Sequence, residues 1–333
     1  MLSTVSHIAV NVPPRQHAFE IADQLAAAFA QTAVERDKRG GSAKIERDLL
    51  RASGLLNVSI PADLGGWGME WPDTMKLIRV FARVDSSIAH LFGFQHLMLA
   101  SVSLYGSWPQ TEELFSETVR NQWFWGNALN PLDKRTSLTS KCGVGYVING
   151  RKSFCSGAVD SDMLIVSAVR SVDEKFMVAA IPSNRPGIRI LDDWDAMGQR
   201  QTDSGTVEFS EVAARQQEFL NTPGPLGSIR ASLRSCIAQL ILSNIFLGIA
   251  KDRWRNRATT RWRKPDRGSH QLRRAPRKIL TFWRITAVSL SAFRQRRPSQ
   301  TSRESLCSEP GRAETRSLKI SVASARWTSP PRR

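Results

Sequence analysis

Cysteine and tyrosine are scarce in this chain of 333 residues, which holds four of the first and two of the second. Cys142, Cys155, Cys236 and Cys307 are scattered and form no CxxC pair. That indicates neither a disulfide framework nor a zinc site. The N-terminal stretch MLSTVSHIAVNVPP lacks the basic flank and long apolar core of a secretion signal. The apolar run SCIAQLILSNIFLGIA at 235–250 has 16 uncharged residues, short of the roughly 20 that cross a bilayer. It reads as a buried helix, so no membrane is expected and the expected location is cytoplasmic. No GxGxxG follows a strand, which argues against a Rossmann dinucleotide site.

Acidic residues nearly vanish from the last quarter. Residues 251–333 hold 23 Lys and Arg against 5 Asp and Glu, while residues 1–250 hold 24 against 25. The net charge of +17 therefore belongs to a neutral body joined to a cationic segment. Of those last 83 residues 19 are Arg, 4 are Lys and 24 are hydrophobic, with no sustained helical period. Trp254, Trp262, Trp283 and Trp327 lie among the arginines. Three readings fit: a stretch translated out of frame, a disordered cationic arm able to bind nucleic acid through phosphates, or a divergent folded domain. The abrupt change after Lys251 favours the first, and nucleic acid is a partner only under the second.

What is present before that point is ordered by period. In HAFEIADQLAAAFAQTAVERD apolar residues recur three and four apart, which predicts a helix ended by Gly40-Gly41. Ser42 is expected to cap the next helix, with Gly54 at its stop, and Asp73 to cap a third. IAHLFGFQHLMLASVSLYG and the stretch 109–120 predict two more. From about Gln122 the pattern becomes short β-rich runs, GYVING, DMLIVSAV, KFMVAAIP, GIRILDDW and GTVEFSEV. These predict a compact antiparallel barrel or sandwich, and Asn149-Gly150 predicts a two-residue hairpin. Helix returns near Pro225.

Six blocks in this order carry a resemblance: LRASGLLNVSIPADLGGWG at 50–68, HLFGFQHLM at 90–98, WFWGNALNP at 123–131, GYVINGRKSFCSGAVDSDMLIV at 145–166, DDWDAMGQRQTDSGTVEF at 192–209 and IAQLILSNIFLGIAK at 237–251. The chain resembles the acyl-CoA dehydrogenase superfamily, and within it the flavin-dependent monooxygenases of the dibenzothiophene-desulfurisation type. The resemblance implies an α+β fold: an N-terminal helical domain at 1–121, a central antiparallel β-barrel domain at 122–222 and a truncated C-terminal helical domain at 223–251. Residues 252–333 are left as the basic, disordered or out-of-frame tail.

The resemblance also implies a site. Asn127, Phe154, Cys155, Ser156, Trp194, Thr202, Asp203 and Ser204 are expected around a flavin, FMN rather than FAD, with Ser156 near the reactive face. Arg151 and Lys152 are expected as solvated charge. A histidine is expected in the helix of the LFGFQH block, where the matching position holds Gln95 and His96 follows. Ser156, Gln95 and His96 are thus the candidate catalytic groups, and each has a bland alternative in a turn or in the core. The activity implied is oxygenation of a small, possibly organosulfur, molecule by O2 and reduced flavin from a separate flavin reductase. Family members are homotetramers built through a C-terminal bundle, and losing that bundle would impair the activity. The alternatives are an acyl-CoA dehydrogenase with FAD, an inactive truncated product, and a nucleic-acid-binding arm.

Overall fold

The computed structural model describes residues 15–143 and 145–261, with side chains as far as 251. The expectations for 262–333 and for the first 14 residues lie outside the described residues. Helix α1 (Arg15–Arg39) is free of glycine and proline, and Gly40 and Gly41, both at positive φ, end it. Helix α2 (Lys44–Ala52) starts after Ala43 without a side-chain cap, so Ser42 does not cap it, and it stops before Gly54 at φ +74°. Helix α3 (Trp71–Ala82) follows Glu70. Asp73, the expected cap, sits inside its first turn and pairs with Arg15 and Lys76. Helix α4 (Ser86–Tyr105) is capped by Asp85, whose carboxylate accepts from the Ile88 amide at 3.0 Å. Helix α5 (Trp108–Asn121) is opened by a reciprocal Ser107–Gln110 cap.

Helix α4 is apolar nearly all round because it is the core: Leu91, Phe92, Leu97 and Val102 are at most 1% exposed. The last helix among the described residues, α6 (Ile229–Arg261), lies on α3 and α4 through Ile237, Leu240, Ile241 and Ile245. Two glycines permit the close approach. A Cβ on Gly93 would sit 2.6 Å from Ile241, and one on Gly248 2.5 Å from Ala82. The α6 backbone continues as helix ten residues past the domain end expected at 251. Its apolar length is 23 residues, Ile229–Lys251, longer than the uncharged 16, because Arg230 and Arg234 fall inside the helix. Arg234 is held by Ser101 at 2.7 Å.

Among the described residues there are seven strands, β1 (Trp125–Ala128), β2 (Thr136–Lys141), β3 (Gly145–Lys152), β4 (Met163–Arg170), β5 (Phe176–Pro182), β6 (Ile188–Ile190) and β7 (Val207–Ala214). They form one curled sheet in the order β1-β4-β2-β3-β7-β6, with β5 on the other edge of β4. Most pairs are antiparallel, as expected, but β4 runs parallel to both β1 and β2. Parallel pairing needs a long crossover, which the β2–β3 hairpin supplies between β1 and β4. Asn149-Gly150 does not make that hairpin. Both residues lie inside β3 opposite Ser137 and Thr136, at a bulge against β7. Gly150 has φ +118°, and Asn149 exchanges two hydrogen bonds with Glu211, at 2.7 and 2.8 Å. The dipeptide's freedom to take positive φ serves the bulge.

Candidate functional site

Three segments meet beside β1. The first is α4, which carries His90. The second is the turn after β3, residues 153–157. The third is the turn 199–205 in the connection from β6 to β7. Backbone bonds tie the two turns together: the Cys155 amide donates to Gly205 O at 3.0 Å and the Gly157 amide to Thr202 O at 2.9 Å. The Asn127 amide donates to Ser156 O at 3.0 Å, which fixes the turn against β1.

Side chains follow from that frame. Ser156, Thr202 and Ser204 are buried, and their hydroxyls form a row: Ser156 Oγ to Ser204 Oγ 2.8 Å, Ser204 Oγ to Thr202 Oγ1 2.7 Å. His90 Nε2 joins the row at 3.1 Å from Ser156 Oγ. The His90 ring stacks on Phe94, centroids 4.0 Å apart, and desolvation pushes its pKa down to about 4, so it is neutral near pH 7. At the other end Thr202 Oγ1 donates to Gln199 O at 2.9 Å, and Trp194 Nε1 donates to the same carbonyl at 2.8 Å.

The Phe154 ring is 61% exposed at a left-handed φ of +59°, an unusual conformation for an aromatic residue. It meets the Trp194 ring edge to face at 6.0 Å. The two form an apolar aromatic edge beside the hydroxyl row. Asn127 holds the turn rather than facing outward, donating to Phe154 O at 3.2 Å and accepting from the Leu129 amide. Cys155 points into the β core, 1% exposed, and burial raises its thiol pKa to about 12, which leaves it unreactive.

Several expected residues are placed elsewhere. Asp203 is turned away from the hydroxyls, and its carboxylate accepts from Arg47 at 2.9 Å. Gln95 is a fully buried strut. Its Nε2 donates to Leu56 O and Trp123 O, and its Oε1 accepts from the Trp125 amide at 2.7 Å. His96 lies on the far side of α4, its Nδ1 2.7 Å from Ser59 Oγ. Neither reaches Ser156. A helix turns about 100° per residue, so the face that carries His90 and Phe94 is not the one that carries Gln95 and His96. Lys152, expected in solvent, is 1% exposed and donates to Asn130 O and Asp133 O.

His90, Arg36 and Arg47 are what sequence reasoning passed over. Arg47 is fully buried, over the Phe124 ring, and donates to both Asp203 and Gly157 O, each at 2.9 Å. Arg36 donates to Gln201 at 2.6 Å and pairs with Glu46 and Asp85. The available clue was an arginine in an apolar stripe: Arg47 falls between buried Ala43 and Leu50 at helical spacing, and Arg36 seven after Phe29. A cleft of about 480 Å³ opens elsewhere, lined by Gln110, Trp123, Met163 and Arg215 among others, and none of the expected site residues lines it. Among the described residues no three His, Cys, Asp or Glu side chains converge as a metal site.

Helical bundle, curled sheet and returning helix, with a polar row and aromatic edge where the layers meet, define the class. Residues 15–122 match the acyl-CoA dehydrogenase N-terminal domain and residues 130–212 the acyl-CoA dehydrogenase middle domain. The chain belongs to the acyl-CoA dehydrogenase superfamily. It is similar to methanesulfinate monooxygenase MsuC of Pseudomonas fluorescens, with 48% identity and a TM-score of 0.71 over 84% of this chain and 72% of that one. FMN-bound TdsC of Paenibacillus sp. A11-2 aligns at 37% identity and a TM-score of 0.69, over 83% and 73%. The probable FMNH2-dependent monooxygenase SfnC of Pseudomonas putida is 56% identical over 243 residues, 73% of this chain. The chain spans 61% of that relative's length.

Proposed function

We propose that this chain is a flavin-dependent monooxygenase that takes reduced FMN from a separate reductase and uses O2 to oxygenate a small organosulfur molecule in the cytoplasm. The observation that carries the reading is the exposed Phe154–Trp194 edge standing beside Ser156, whose hydroxyl is joined to a neutral histidine. These residues fit a flavin: a flat ring needs an apolar partner and a few placed polar atoms, and a strained aromatic facing outward is a surface made for contact. The names of the similar proteins support FMN over FAD, and oxygen transfer over CH–CH oxidation. The domains at 1–121, 122–222 and 223–251 are proposed on the same ground.

When bound, reduced FMN with O2 supplies an electrophilic oxygen atom. This chain's residues do the rest. Phe154 and Trp194 hold the ring and exclude water from one side. Asn127 fixes the turn that presents Ser156. Ser156 Oγ and His90 Nε2 set the hydrogen bonding and proton supply at the ring's polar edge, where placed groups act most strongly because water is kept out. Cys155 contributes packing alone.

The test is direct. Full-length protein is mixed with photoreduced FMN, O2 and a panel of alkyl sulfinates, sulfones and thiophenes, and products are read by mass spectrometry. A product 16 mass units heavier under ordinary O2, and 18 mass units heavier under ¹⁸O2, is the expected result. Bleaching of bound FAD by an acyl-CoA, with no oxygen incorporation, contradicts the proposal.

A further inference from the structure

The hydroxyl row has a direction that can be counted from its protons. Each hydroxyl owns one proton, and a close O···O or N···O contact without a proton between the atoms is repulsive. The row ends on Gln199 O, which can only accept, so at 2.9 Å the Thr202 hydroxyl must donate to it. Thr202 has then no proton for Ser204, so the 2.7 Å contact between them takes the Ser204 proton. Ser204 in turn has none for Ser156, and the 2.8 Å contact takes the proton of Ser156. At 3.1 Å from His90 Nε2, Ser156 Oγ can only accept, so His90 carries its proton on Nε2.

We infer that Thr202 is a positioning residue that orders this row, holding His90 as its Nε2–H tautomer and leaving Ser156 Oγ to face a bound ring as a hydrogen-bond acceptor. The inference rests on the flavin reading for its ligand, though not for its protons. Its chemical consequence is selectivity between redox forms. The central ring of reduced flavin carries an N–H at N5, while the oxidised form has a bare acceptor nitrogen there. An acceptor hydroxyl favours the reduced form and repels the oxidised one. The row is anchored twice, because Trp194 of the aromatic edge donates to the same Gln199 carbonyl. The ring-holding edge and the proton order therefore share one atom.

Two measurements on the full chain test this. The first needs no flavin: ¹⁵N-histidine NMR of the native protein at pH 7.5, with His90 assigned by its loss in His90→Phe. The expected result is a protonated Nε2 and a bare Nδ1, kept in Thr202→Ser and lost or mixed in Thr202→Val, where the Ser204 proton is free to turn back. The second is the affinity for oxidised and reduced FMN, measured anaerobically. Native protein and Thr202→Ser are expected to prefer reduced FMN by about tenfold or more, and Thr202→Val to lose most of that preference, one hydrogen bond's worth. A protonated Nδ1 in the native protein overturns the inference, as does a folded Thr202→Val with unchanged tautomer and unchanged preference. If neither FMN form binds while the tautomer follows Thr202, the row stands and the flavin reading fails.

Discussion

The His96 imidazole is fully buried, set against Ser59 and the edge of Phe92, with no partner for Nε2. Burial pushes its pKa down to about 3. The folded protein therefore takes up this proton only near pH 3, while the unfolded chain takes it up near the ordinary value of about 6.5. Below pH 6.5 protons favour unfolding, and stability is lost as the pH falls toward 3, by about 3 kcal/mol at pH 4.5. His90, whose pKa burial pushes down to about 4, adds a loss of its own, so urea unfolding at pH 7 and 4.5 should show a loss in His96→Gln that is smaller than the native one by about the His96 share; equal losses would contradict the assignment. The same residue shows what was legible at this scale. Ser156, Thr202 and Ser204 were readable from their blocks, and the structure brings them together. His90 was not readable. Which face of α4 meets the β domain depends on distant packing, so the LFGFQH block by itself pointed to Gln95 and His96.

Elements are held to one another by buried charge. Along the turn at 199–205 the side chains alternate: Gln201 and Asp203 meet Arg36 and Arg47, while Thr202 and Ser204 meet each other and Ser204 meets Ser156. Arg47 bridges this turn to Gly157 O in the neighbouring one, so α2 grips both turns that carry the hydroxyls. Removing one partner of a buried pair leaves the other charge without compensation and costs about 3–5 kcal/mol. Arg47→Met should lower unfolding free energy by that amount and raise amide exchange at Cys155 and Gly157. A loss below about 1 kcal/mol would mean that the pair does not hold the turns. None of this was visible from composition, because an arginine in a helix reads as solvated until its partner, over a hundred residues away, is known. The bulge at Asn149-Gly150 has the same character. The dipeptide announced a positive φ, and only the partner strand β7 determined where it was used.

Across the whole molecule the order helices, strands, helix was legible because the hydrophobic period changes from about 3.6 to 2 near Gln122 and back near Pro225. The parallel pairing of β4 with β1 and β2 was not, since a crossover leaves no local mark. Helix α6 is joined to the rest mainly through one apolar stripe on α3 and α4, with Ile241 at 0% exposure in its centre. Ile241→Ala should cost about 2–5 kcal/mol by thermal or urea unfolding; a change under 1 kcal/mol would show that the stripe is not part of the cooperative unit. The central claim is that the Phe154–Trp194 edge and the Ser156 row receive a flavin ring. The measurement that bears on it most directly is a fluorescence titration of FMN with full-length protein. One-to-one quenching is predicted, with affinity weakened about tenfold or more in folded Trp194→Ala and Phe154→Ala, the loss of one aromatic contact of about 1.4 kcal/mol. Absence of quenching, or binding that both substitutions leave unchanged, would contradict the account.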